Sequence, residues 1–134
     1  LLIHDFDRVS RRVTRYANDL LAPHGLSLNQ GLLVLEAIRR DGCTAGELGR
    51  VLDFDSATLA GLLGRLERAG FVTRERSARD GRSVVVRPTS AARRVQAAVR
   101  TALEDLDERL RRALPSREAD ELASAHRRVL TELP

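Results

Sequence analysis

Thr44-Ala45-Gly46-Glu47-Leu48-Gly49-Arg50-Val51-Leu52 leads through Asp53-Phe54 into Asp55-Ser56-Ala57-Thr58-Leu59-Ala60-Gly61-Leu62-Leu63-Gly64-Arg65-Leu66-Glu67-Arg68-Ala69-Gly70. Phe71-Val72-Thr73-Arg74-Glu75-Arg76 follows directly. Thr44 and Glu47 stand three apart at the head of an apolar run, the spacing of a capping box, and Leu48, Val51 and Leu52 are expected to be its buried face. Asp55 is a good N-cap for the next helix, in which Leu59, Leu62, Leu63 and Leu66 share one face. Gly70 stands where a left-handed residue ends that helix. Phe71–Arg76 then reads as a strand, Ser77–Gly81 as a turn, and Arg82–Val86 as the returning strand. Asp80-Gly81 is a strong hairpin signal, and Val84-Val85-Val86 suits a strand.

Two short helices and a basic hairpin in this order make a winged helix-turn-helix, a DNA-binding design. Arg65-Leu66-Glu67-Arg68-Ala69-Gly70-Phe71-Val72 and the hairpin Asp80-Gly81-Arg82, followed by Val86 and Thr89, resemble the MarR-type (multiple antibiotic resistance regulator) repressors. In that family an Asp-x-Arg wing is followed by a small strand ending in Leu-Thr; here Pro88-Thr89 takes that place. The resemblance extends over nearly the whole chain. It implies a short strand near Cys43-Thr44 that pairs with the wing, a homodimer joined through the terminal helices, and a wing arginine, here Arg82, that enters the minor groove. It also implies an effector, often a small anionic or phenolic molecule, in a pocket between the dimerising helices and the reading head. Tyr16 and His24 are the candidates to line it, with core packing and turn surface as their plainer readings.

The flanks fit that frame. Residues 2–21 read as one helix with Phe6, Val9, Val13, Tyr16, Ala17 and Leu20 on one face and Arg8, Arg11, Arg12 and Arg15 on another. That arginine stripe reads first as a solvated face and second as a DNA-flanking or carboxylate-binding one. Pro23-His24-Gly25 breaks the helix. Ser27-Leu28-Asn29-Gln30 is another capping box, opening a helix to Arg40 whose stripe is expected at Leu28, Leu32, Leu35 and Ile38, widened by Leu33 and Val34. Thr89 or Ser90 caps a long helix to about Leu114, with Ala92, Val95, Val99, Ala102, Leu103, Leu106 and Leu110 at seam-like spacings. Pro115-Ser116 restarts the chain into a last helix carrying Leu122, Ala125, Val129 and Leu130. The terminal helices have nothing to bury against in a lone winged domain, so a second subunit is expected.

Length and composition bound the rest. The 134 residues suit one domain over 1–134, mainly α with a small β-hairpin wing. The winged helix-turn-helix is expected at 27–88 and the dimerisation helices at 1–22 and 89–134. The 23 basic residues are all arginine; a GC-rich genome favours that, and arginine also makes two-pronged contacts to phosphate and guanine. The net charge of +4 and a pI near 10.7 suit a polyanionic partner. Cys43 is the only cysteine and the three histidines are scattered, so neither a metal nor another cofactor is expected. No nucleophile, base and stabiliser stand together, so catalysis is not expected. No apolar run is long enough to span a bilayer and no leader is visible, which points to the cytoplasm.

On the reading helix, the face opposite the leucines is Ala57, Ala60, Gly61, Gly64 and Arg68, flanked by Ser56, Thr58 and Arg65. The interior glycines weaken that helix by roughly 1 kcal/mol each relative to alanine. Three readings follow. The glycines admit DNA close to the backbone, with Ser56, Ala57, Thr58, Gly61 and Arg65 at the bases. Wing arginines and DNA deformability carry specificity instead. Or the head has lost sequence readout and is a protein-interaction module. Arg74, Arg76 and Arg79 are candidate phosphate contacts beside Arg82, and Thr44 and Gly46 could offer backbone N–H groups to a phosphate. Cys43 reads as a packing residue. Some members of the resembled family use a redox-sensing cysteine, but in their first helix.

Overall fold

Pro23 fixes the first break. In the computed structural model, which describes residues 1–134, α1 (Leu2–Leu21) runs into a single 3-10 turn at Ala22–His24. Ser27 then opens α2 (Leu28–Arg40). Its hydroxyl accepts the Gln30 N–H at 3.3 Å, while the Gln30 side chain accepts the Ser27 N–H at 2.8 Å. Asn18 of α1 pins the same start by accepting the Leu28 N–H at 2.7 Å. The resembled short strand is present as β1 (Cys43–Thr44), and Thr44 and Glu47 make a second reciprocal cap, at 3.2 and 2.9 Å, that opens α3 (Ala45–Leu52). Asp55 accepts both the N–H and the hydroxyl of Thr58 at 2.8 Å and opens α4 (Ser56–Arg68). Each cap satisfies donors that the first turn of a helix cannot satisfy itself.

Gly70 sits at φ 84, the left-handed residue that turns the chain from α4 into β2 (Val72–Arg76). β3 (Val84–Pro88) returns antiparallel and lies between β1 and β2, pairing Cys43 and Arg74 with Val86 from its two sides. Thr89 ties off the sheet: its hydroxyl donates to the Gly70 carbonyl at 2.6 Å and accepts the Ala92 N–H at 3.3 Å, so it caps α5 (Ser90–Arg112) as expected. α6 (Ser116–Glu132) follows Pro115. No helix is long and apolar enough to cross a membrane.

The chain divides into two units, Leu1–Ala102 and Leu103–Pro134. The core of the first is built on Leu21, Leu33, Val34, Leu48, Leu66, Val86 and Val99, all fully buried. A methyl carbon on Gly31 would lie 3.1 Å from Leu21 Cδ1 and 3.3 Å from Val99 Cγ1, so α1, α2 and α5 converge on that glycine. In the second unit α6 has no buried residue, and Leu122 and Leu130 are exposed.

Three expectations are corrected. The inward stripe of α2 is Gly31, Leu33, Val34, Ala37 and Ile38, while Leu28, Leu32 and Leu35 are only half-buried. Small residues face the crossing helices because close approach needs them there. Val51 is 49% exposed, since α3 turns only Leu48 and Gly49 fully inward. The apolar face of α1 lies open in the single chain: Phe6, Val9 and Tyr16 are exposed, and only Ala17 and Leu21 are buried in that helix. Finally, the hairpin strands begin later than expected, at Val72 and Val84. The Asp80 carboxylate holds the N–H groups of Arg82 and Ser83, both at 2.9 Å, and keeps those residues in the loop.

Candidate nucleic-acid interface

The angle between α3 and α4 is set by contact. A methyl carbon on Gly49 would lie 3.2 Å from Leu59 Cδ2 and 3.3 Å from the Phe54 carbonyl oxygen, so the two helices cross closely at this glycine. With Leu59, Leu62, Leu63 and Leu66 buried, α4 turns Ser56, Ala57, Thr58, Ala60 and Arg65 to solvent. Gly61 and Gly64 differ from Gly49. Methyl carbons there would lie 3.7 Å from Arg65 Nη1 and 3.5 Å from Arg68 Nη1, at ordinary van der Waals range. The two guanidinium groups therefore lie back along the helix over the glycines, toward its N-terminus, the direction in which helical side chains lean.

The wing is held by its own polar groups. Asp80 accepts the Ser83 hydroxyl at 2.8 Å in addition to the two N–H groups, and these bonds, the Ser83 N–H first, hold its carboxyl below the usual carboxylate range. Asp80 thus makes the turn. The guanidinium groups of Arg82 and Arg79 are exposed and form no salt bridge. Arg76 reaches back to the Gly81 carbonyl at 3.3 Å. Arg74 is engaged differently: its guanidinium donates to Glu67 Oε1 at 2.9 Å, and its backbone N–H donates to Glu67 Oε2 at 3.2 Å. The Arg74 guanidinium holds the Glu67 carboxyl low, and Glu67 in turn raises the guanidinium. Sequence reading missed this pair, whose members are seven residues apart across a turn.

Between α4 and the wing lies an open groove of about 250 Å³, walled by Gly46, Ser56, Ala60, Leu63, Arg74 and Val84 among others. Of the residues expected to offer backbone donors, Thr44 has its N–H taken by Glu47, leaving those of Ala45 and Gly46 at the start of α3. Tyr16 lies half-exposed on α1 and His24 half-buried in the following turn; neither walls this groove. No cluster of His, Cys, Asp and Glu is placed to hold a metal ion. Cys43 is buried in β1, opposite Val86, and burial raises its thiol pKa.

The sequence profile of the MarR family matches residues 24–83, the whole of the helix-turn-helix and the wing to its tip. The organic hydroperoxide resistance transcriptional regulator of Bacillus subtilis is 35% identical over 77 residues, covering 58% of this chain and 52% of that protein. The chain spans about half or less of the length of the curated relatives it matches. Among solved structures, the S. aureus MepR–DNA complex superposes with a TM-score of 0.90 at 20% identity, over 99% of this chain and 98% of that one, a likeness of fold. A mutant MarR from E. coli, complexed with operator DNA, gives a TM-score of 0.81 at 25% identity, over 99% of this chain and 94% of that one.

Proposed function

We propose, from the premise that the chain belongs to the MarR family, that it is a homodimeric transcriptional regulator, a repressor, binding a pseudo-palindromic operator in double-stranded DNA. Each α4 enters a major groove and each wing a flanking minor groove. The observation that carries this reading is the state of the arginines on those two elements. Arg65 and Arg68 on α4, and Arg79 and Arg82 at the wing tip, are exposed and form no salt bridge, whereas Arg74 and Arg87 in the wing strands are paired with Glu67 and Glu75. Unpaired guanidinium groups on a helix and hairpin are suited to phosphates and base edges.

Within that interface Ser56, Ala57, Thr58, Gly61 and Arg65 face the bases, with Gly61 and Gly64 admitting DNA close to the helix. Arg76, Arg79 and Arg82 attend the backbone and minor groove. The free N–H of Gly46 suits a phosphate; the Thr44 N–H is committed to its cap. Residues 27–88 act as the reading head, and 1–22 with 89–134 as the dimerising part. Support for the latter is apolar surface left open on α1, at Leu2, Ile3 and Val9, and on α6 at Leu122 and Leu130. A small anionic or phenolic effector near Tyr16 and His24 would change the spacing of the heads. Such binding is tested by calorimetry with a panel of phenolic carboxylates.

Selection from a random-sequence duplex pool tests the main reading. It should return a two-fold symmetric site with half-sites about one helical turn, or a multiple of it, apart. Affinity for that site should fall steeply with salt. Recovery of no common sequence would instead favour a protein-interaction module.

A further inference from the structure

The β2 strand is an edge of the sheet, because the order is β1-β3-β2. The Arg74 N–H is nevertheless partnered: one oxygen of Glu67 accepts it while the other takes the Arg74 guanidinium. A single carboxylate on the last turn of α4 thus grips both the backbone and the side chain of one residue in the wing. Only Ala69, Gly70 and Phe71 separate α4 from β2, and Gly70 is the conformationally permissive residue of that turn. One side of the turn is pinned by Thr89, whose hydroxyl reaches the Gly70 carbonyl. The other side is pinned by Glu67 and Arg74. By contrast, Arg76 to Gly81 and Arg87 to Glu75 are bonds within the hairpin and do not reach α4.

We infer that Glu67 is a positioning residue for DNA binding, whose clasp on Arg74 fixes the wing against the end of α4 so that helix and wing meet one duplex at a set angle. Arg74 is then a strut and not a phosphate contact. The inference rests on the DNA-binding reading above. A rigid pair of elements gains affinity because the angle need not be found on binding.

The test uses the full chain as wild type, Glu67→Ala, Arg74→Ala, the double variant and Arg74→Lys. Each is titrated over a salt series with a duplex selected by the wild type from a random pool, and with a scrambled duplex. The clasp predicts that each alanine variant loses about tenfold on the selected duplex and that the double variant loses no more than either single one. The slope of log affinity against log salt should stay that of the wild type, and Arg74→Lys, which lacks the two-pronged geometry, should fall with the alanine variants. A phosphate contact gives the opposite pattern and overturns the inference. Arg74→Ala would then weaken both duplexes and flatten the slope by about 0.9, Glu67→Ala would bind as well as wild type or better, and Arg74→Lys would keep most affinity. Thermal melts accompany the titrations; should an alanine variant melt below the assay temperature, Arg74→Lys decides the matter. Wild type that binds neither duplex would overturn the DNA-binding reading itself, an outcome distinct from variants that bind like a competent wild type.

Discussion

The reading head and the terminal helices are built to different degrees of completion. In the head, α2, α3 and α4 each begin with a side-chain cap, from Ser27, Thr44 and Asp55. Its large apolar side chains are mostly inside, Val51 and Val84 excepted, and its open surface is rich in charged groups and small side chains. At the ends, α1 and α6 have no side-chain cap. They leave Leu2 71%, Ile3 66%, Val9 61% and Leu130 61% exposed. A finished surface of the first kind suits a charged, hydrated partner such as DNA. Apolar surface of the second kind is stable in water only when covered, and in this family reading a second copy of the chain covers it.

The largest expected effect is on that cover. Val9→Glu combined with Leu130→Glu places charge on the apolar faces of α1 and α6. Association should weaken by about 2 kcal/mol or more, roughly thirtyfold, when followed by sedimentation over a concentration series. Head residues should be insensitive by the same measure: Arg79→Glu changes charge equally and should leave the oligomer intact. A full-length chain that sediments as a well-folded monomer would dissolve the contrast between the two regions.

Next in size is the wing. Arg82→Ala removes an exposed, unpaired guanidinium held at the tip by the Asp80 turn, and should lower operator affinity by about 1–3 kcal/mol. If it enters a narrow minor groove, the loss should be greatest on sites with A·T-rich flanks. Equal binding of variant and wild type on every duplex would move the readout to α4 alone.

How much of this was legible follows from range. Caps such as Ser27–Gln30 and Thr44–Glu47 are bonds between residues three apart, so residue type and spacing disclose them. The αL turn at Gly70 is local in the same way. On α2, side-chain size does not mark the inward face. Leu28, Leu32 and Leu35 are larger, yet Gly31 faces α1 and α5, where even a methyl would crowd Leu21 and Val99. β2 alone shows Arg74 exposed and alternating, a pattern that suits a phosphate contact; its partner Glu67 becomes a neighbour only when α4 folds back along the sheet. The late start of β3 is an exception to range: the bonds from Asp80 to Arg82 and Ser83 span only two and three residues, yet they compete with a ladder that residue type alone favours.

The glycines sharpen the comparison at smaller amplitude. Gly61→Ala introduces a methyl 3.7 Å from its nearest neighbour, so the protein itself has room for it. Stability should rise by up to about 1 kcal/mol, the helix-propensity difference. If Gly61 is there for DNA, operator affinity should fall in the same variant. Gly31→Ala is the internal contrast: it crowds Leu21 and Val99 and should destabilise the chain by about 1 kcal/mol or more through overpacking. Thermal unfolding paired with DNA titration separates the two, and a Gly61→Ala protein that is both more stable and fully competent in DNA binding would leave that glycine without a role at the interface.

The smallest effect is expected at Cys43. One relative is named for organic hydroperoxide resistance, which makes the sole thiol of this chain worth testing. Its setting is unlike that of a sensor. The residue is 7% exposed, burial pushes its pKa up, and the carboxylates of Glu47 and Glu36 push it the same way against the opposing Arg40 and Arg39. Reaction with peroxide requires the thiolate, which such a site holds at a low population at neutral pH. Cys43→Ala should therefore leave operator affinity unchanged. Wild type and variant should respond alike, within error, to an organic hydroperoxide added before the titration. Peroxide-triggered release from DNA in the wild type alone would show that β1 opens far enough to expose the thiol. The head would then be a less finished structure than its caps and packing indicate.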